Sequence, residues 1–285
     1  MQIVDAHVHL WHQDANRYPN KPWVQGDLPP IDGTADRLVP EMDRAGVSWA
    51  LNVQVPWYGE DNRYHRDALA AFPGRFKLLA VLDDLESEDA PARLERQVKQ
   101  EGALGFRIHF CEPGRRDQAL AGVFDPLLRK SAELGAVVQL LAWLEDVPAI
   151  ERMVREFPET VFVIDHLCHA NVAEAPPYPS SQRFLELGRH ENVYVKVSLL
   201  CDLSNQNYPY PDVQQFVQTM LDYYPPQRLM WGSNYPLIPE VRKEQPVDYV
   251  RSLELVRSDW PWLDENAKEW ILGKTAATLF GSRKS

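Results

Sequence analysis

The chain has 285 residues, 45% of them apolar and 25% charged, proportions that suit one large α/β domain or two small ones. A formal net charge of −11 with no basic run excludes nucleic acid and anionic membrane surfaces as expected partners and leaves a small molecule. No apolar run reaches the roughly 18 residues of a membrane span, and the opening MQIVDAHVHLW lacks the basic flank and apolar stretch of a secretion signal, so a cytoplasmic location is expected.

Short β-rich apolar runs alternate with segments of helical period along the whole chain. The predicted strands are QIVDAH near residue 4, WALNVQV near 51, FKLLAVL near 79 and LGFRIHF near 107, then AVVQLLAW near 140, TVFVIDHL near 164, NVYVKVSLL near 196 and RLMWGSN near 231. Several are apolar throughout, as parallel strands buried on both faces must be. Predicted helices fall between them: ADRLVPEMDRAG, DNRYHRDALAAFPG, APARLERQVKQEG, DPLLRKSAELG, VPAIERMVREFP, SQRFLELGRH, VQQFVQTMLDYYP and VDYVRSLELVRS. Several end on a glycine or proline stop. Eight strand–helix units predict a closed (β/α)₈ TIM barrel over residues 1–285, one domain with an extra C-terminal helix, DENAKEWILGKTAATLF. Cys111, Cys168 and Cys201 are odd in number and far apart, which reads as small buried apolar residues rather than disulfides or a thiolate metal site.

Barrel enzymes carry their chemistry at the C-terminal ends of the strands. His7 and His9 lie at the end of the first strand, and strand alternation points both the same way, into the mouth. His166 ends the sixth strand and adds a third imidazole, while Asp165 should face the helices; His169 sits just beyond, in the loop. Asn234 stands where the eighth strand leaves the barrel beside His7 and His9, after Gly232, which allows close backbone approach. Arg107 and His109 share a face of the fourth strand, where a guanidinium fork suits a carboxylate. Gln139, Trp143, Lys196 and Ser198 are further candidates from strands five and seven. Two loops should overhang the mouth: residues 11–32, with Trp11, Tyr18, Trp23 and four prolines, and residues 201–212. No GxGxxG or GxxxxGK[ST] marks a nucleotide site.

In this order DAHVHLW, VIDHL, NVYVKVS and MWGSNYP resemble the amidohydrolase-related family over the whole chain, and its sugar-acid lactonase and 2-pyrone-4,6-dicarboxylate lactonase branch above all. The resemblance implies a hydrolase with a metal site at His7, His9 and His166 holding one divalent ion, zinc or manganese; some lactonases of this branch work without any. It puts the family's catalytic position at Asn234 and implies a homodimer; with the candidates above, catalysis is expected at Asn234, His166 and His169, and a small anionic or sugar-acid substrate against Arg107, His109, Trp11 and Trp143. Two departures stand out. Asn234 occupies the place of the family's catalytic aspartate, and an amide cannot accept a proton at neutral pH; DHLGKP becomes DHLCHA. Another group, His169, His109 or Asp202, must then take the proton in lactone hydrolysis. The alternatives are a metal-dependent decarboxylase or other lyase, and a barrel that binds a ligand without turning it over.

Overall fold

Parallel strands buried on both faces need apolar residues at nearly every position, and the eight runs meet that demand. A computed structural model of the protein describes residues 1–21, 31–236 and 248–281. The strands are β1 (Ile3–Val8), β2 (Val47–Val53), β3 (Phe76–Leu79), β4 (Gly105–His109), β5 (Val137–Leu141), β6 (Val161–Ile164), β7 (Val193–Val197) and β8 (Leu229–Trp231). All their pairings are parallel, β1-β2-β3 in one run and β4 to β8 in the other. Two narrow seams close the ring. Ala80 N donates to Gly105 O (2.9 Å) and Leu104 N to Leu78 O (2.8 Å) between β3 and β4. His9 N donates to Tyr235 O (2.7 Å) and Asn234 N to His7 O (2.8 Å) between β1 and the end of β8.

Helices clothe this barrel: α1 (Ala35–Ala45), α2 (Arg63–Ala71), α3 (Ala90–Glu101), α4 (Arg115–Leu120), α5 (Asp125–Leu134), α6 (Val147–Glu156), α7 (Gln182–Glu186), α8 (Leu200–Leu203), α9 (Pro211–Met220) and α10 (Tyr249–Arg257). The short α4 and α8 are additions to the predicted set. Inside the ring, Val4, Ala6, Leu51, Val53, Leu79, Val137, Val163 and Met230 form one apolar cluster. The predicted extra helix is a continuous run of α11 (Glu265–Glu269), a wider π turn at Trp270–Lys274 and α12 (Thr275–Phe280). Ala276 and Phe280 join the interior cluster, so this run seals the barrel at the starts of the strands. The polar mouth is left at the other end.

The first long loop is described only in part; Trp23 and Pro22, Pro29 and Pro30 lie outside the described residues. The second is tied down by Asp212, which accepts from Asn205 N (2.8 Å) and from Ser204 Oγ (2.5 Å). Of the three cysteines only Cys168 is buried; Cys111 is exposed because it lies beyond the end of β4.

At Gly105 the strands approach so closely that a Cβ would lie 1.9 Å from Val137 O. Gly105→Ala must push β4 from β5, and it should lower stability by about 1–3 kcal/mol or more, as overpacking does. Chemical denaturation of the two proteins at equal pH checks this.

Candidate active site

The centre of the mouth is Asp165, and its placement corrects the expectation that it faces the helices. Val163 belongs to the interior cluster, and two residues later alternation puts Asp165 on the same inner side, fully buried. Its Oδ2 accepts from Arg107 Nε (2.8 Å) and Gln139 Nε2 (2.9 Å), and a terminal nitrogen of Arg107 lies 2.7 Å from the same oxygen. Its Oδ1 lies 3.3 Å from His7 Nδ1 and 3.5 Å from Lys196 Nζ, with no hydrogen bond of good geometry. Lys196 donates to Gln139 Oε1 at 2.6 Å and lies 3.2 Å from His7 Nδ1. Burial would raise the Asp165 carboxyl, but Arg107, Lys196 and His7 outweigh it and hold its pKa well below the usual carboxylate range. Burial drives the Lys196 ammonium down to about 8, against the pull of Asp165.

His166 reaches the mouth by a different device. Alternation alone would turn it outward, yet His166, Leu167, Cys168 and His169 all have left-handed φ (51°, 52°, 55° and 48°). Each such residue without glycine costs roughly 1–2 kcal/mol. The turn brings the His166 ring to 4.7 Å from that of His7 and sets its Nδ1 on Ser198 Oγ at 2.8 Å. The same turn carries His169 to 5.6 Å from His166, stacked on Trp143 at 4.4 Å between ring centres. His169 Nδ1 donates to Ala142 O (3.0 Å), which leaves Nε2 with its lone pair.

His7 and His9 converge as the spacing predicts, with their Nε2 atoms 3.1 Å apart. His9 Nδ1 donates to Val53 O (2.7 Å), so its Nε2 is also unprotonated. Asp5, which sequence reasoning did not single out, holds this segment: its Oδ1 accepts from His7 N (3.0 Å) and Ser233 N (2.9 Å). The one available signal was an acidic residue inside an otherwise apolar strand. Gly232 is required here, since a Cβ would sit 2.6 Å from that of His7. Burial lowers the pKa of all five mouth imidazoles: His7 and His166 well below 6.5, His9 to about 4, His109 to about 3, and His169 downward. All are neutral at pH 7.

Neutral imidazoles are what a divalent ion needs, and the residues fit one. Among the described residues the group whose ligand atoms lie within 4.8 Å of one another is His7, Asp165 and His166, with His9 at His7's side. Asp165 thus stands beside the imidazoles that the sequence offered as the ion's ligands.

The other candidates divide. Asn234 has left-handed φ (58°), and its Oδ1 is buried with no hydrogen-bond partner among the described residues; the same holds for His109 Nε2. Arg107 is brought to the site but is held by Asp165. Trp11 is buried, and its indole N–H donates to Ile31 O (2.9 Å).

Asp165→Asn would leave Arg107 and Lys196 buried without their counter-charge, and it should cost about 3–5 kcal/mol at neutral pH. A carboxylate with depressed folded pKa stabilises fully above its unfolded value near 3.9 and loses that contribution as pH falls toward the folded one. The variant should therefore show a flatter loss of stability below about pH 4, read by denaturant titration across acid pH.

The amidohydrolase family profile matches residues 4–282. The L-fucono-1,5-lactonase of Burkholderia ambifaria is 28% identical over 240 residues, 82% of this chain and 80% of its own. A Pseudomonas putida structure assigned as a 2-pyrone-4,6-dicarboxylic acid hydrolase superposes with a TM-score of 0.81 at 24% identity, covering 100% of this chain and 99% of that one. A zinc-bound amidohydrolase from Burkholderia multivorans gives 0.79 at 19% identity, covering 99% of each chain. With the profile matching nearly its whole length, the chain belongs to the amidohydrolase family.

Proposed function

We propose that the protein is a cytoplasmic hydrolase that opens a lactone or related cyclic ester of a sugar acid or aromatic catabolite, assisted by one divalent ion, zinc or manganese. The observation that carries this reading is a set of neutral imidazoles, His7, His9, His166 and His169, gathered around one ionised carboxylate. The lactonase relative supports the substrate class, and the zinc-bound neighbour is in keeping with the ion. His7, His166 and Asp165 would hold the ion, with His9 beside them. When bound it supplies Lewis acidity toward a carbonyl and makes water a nucleophile at neutral pH.

The chain's own groups divide the remaining work. His169 Nε2, free because Nδ1 is committed to Ala142, accepts the proton of the attacking water. As the ring C–O bond breaks, the same nitrogen returns that proton to the leaving oxygen. Arg107 and Lys196 stand at the floor of the mouth, and their positive charge favours the oxyanion that develops on the carbonyl. Asn234 Oδ1, unpartnered, accepts a hydrogen bond from water or a substrate hydroxyl and orients it.

The test is lactone hydrolysis followed by acid release at constant pH, with elemental analysis of protein purified without added metal. About one ion per chain, as a single mononuclear site requires, lost in His166→Ala together with activity, is the expected result. Carbon dioxide release without lactone opening would replace the hydrolase with a lyase. With His169 as the base, Asn234→Asp adds a carboxylate that opposes the developing oxyanion and should lower kcat by about 10-fold or more; a rise in hydrolytic rate would show that position 234 is where the base belongs.

A further inference from the structure

Resting on the lactonase reading, we propose that the substrate is an uncharged, hydroxyl-rich lactone whose exocyclic arm lies in a rim pocket between the β4–α4 and β5–α6 loops, with His109, next in the chain to the pocket wall Phe110, as a substrate-binding residue.

The pocket has a volume of about 390 Å³, room for several carbon and oxygen atoms beyond a six-membered ring. It adjoins the mouth on two sides. Trp143, one wall, stacks on the His169 ring; Phe110, another, directly follows His109 on β4. An aromatic face of this kind packs against the C–H side of a saturated ring while the hydroxyls point away.

Its charge opposes a carboxylated ligand. Glu112 is paired with Arg115, at 2.5 and 2.8 Å, which leaves Asp117, Glu145 and Asp146 against the single guanidinium of Arg116. Carboxylates at a rim accept hydrogen bonds from hydroxyls and repel an anion. The mouth's own guanidinium is already engaged with a carboxylate, Arg107 directing Nε and a terminal nitrogen to Asp165. The positive charge sits at the floor, where an oxyanion develops.

Among the described residues, two buried polar atoms that could meet a substrate lack partners, at a cost of about 1–3 kcal/mol each if nothing meets them: His109 Nε2 and Asn234 Oδ1. Asn234 Oδ1 only accepts, so its partner must be a donor, which a hydroxyl is and a carboxylate is not. The His109 imidazole, nine-tenths buried, can donate to a hydroxyl or ring oxygen or accept from a hydroxyl according to tautomer. Hydroxyl-rich ligands satisfy both atoms.

The test compares kcat/KM for uncharged sugar 1,5-lactones with that for a dicarboxylated 2-pyrone. The sugar lactones should win by on the order of 100-fold, because like-charge contact at the rim is costly. The double variant Asp117→Lys, Glu145→Lys, both at exposed positions, should narrow that ratio about 10-fold or more by reversing the rim's charge. His109→Ala should lower kcat/KM for the hydroxylated substrate and spare a deoxygenated lactone of the same ring size. Equal or faster turnover of the dicarboxylate, or a ratio unmoved by the lysines, would overturn the proposal while leaving the lactonase intact. If no lactone is opened, binding decides by ligand-observed NMR. A neutral sugar lactam that binds wild type and loses affinity in His109→Ala supports the pocket; preference for an aromatic dicarboxylate sinks it.

Discussion

A carboxylate with no exposed surface stays ionised only if its neighbours supply the positive charge and donors that water would have given it, and Asp165 imposes that condition on four strands at once. Arg107 on β4, Gln139 on β5, Lys196 on β7 and His7 on β1 all meet it inside the ring. No strand can shift register without breaking one of these contacts, because a slip by one residue turns a side chain to the opposite face. The buried ions are a poor source of net stability on their own, since desolvation consumes most of the attraction. They instead specify how the apolar strands line up, and the apolar cluster below supplies the burial that holds them together.

The same cluster sets the chemistry. Burial, helped by the charges of Arg107 and Lys196, outweighs the pull of Asp165 and keeps every nearby imidazole neutral. Neutral imidazoles have lone pairs for an ion, a proton or a hydroxyl. Carbonyl partners decide which nitrogen offers the pair, Val53 for His9 and Ala142 for His169, and Ser198 orients the His166 ring. These partners lie on three different strands or their ends, so the orientation of the mouth is a property of the closed ring.

Much of this was legible in the chain because the period of apolar residues and the punctuation of glycine and proline act locally. All eight strands and the closing helical run follow from that pattern. The HxH pair was legible for the same reason, since alternation along one strand needs no tertiary knowledge. Alternation holds through Asp165 and fails at His166, where the chain leaves the strand into four left-handed residues that no glycine announces. It could not show that Arg107 and Asp165 pair, because 58 positions separate them and only barrel closure brings them together. Trp11 was read as a mouth residue from its place in the first loop. Burial against Gly33 and a bond to Ile31 anchor it instead, a consequence of loop packing that composition does not encode.

The asparagine at position 234 makes sense within this electrostatic plan. Its backbone N–H closes the seam onto His7, so any side chain there stands at the edge of the imidazole group. A carboxylate in that place would add a further negative charge beside Asp165 and Asp5 and weaken the pull of Arg107 and Lys196 on the oxyanion. The amide adds no charge and still presents an oxygen that accepts a hydrogen bond. The proton must then go elsewhere, and His169 is the imidazole whose lone pair is freed by a backbone carbonyl and whose ring is steadied by Trp143. Separating the group that orients from the group that takes the proton explains why the left-handed turn at residues 166–169 is worth its strain. Without it neither His166 nor His169 would reach the mouth, and the barrel would have a charged floor with nothing above it to move a proton.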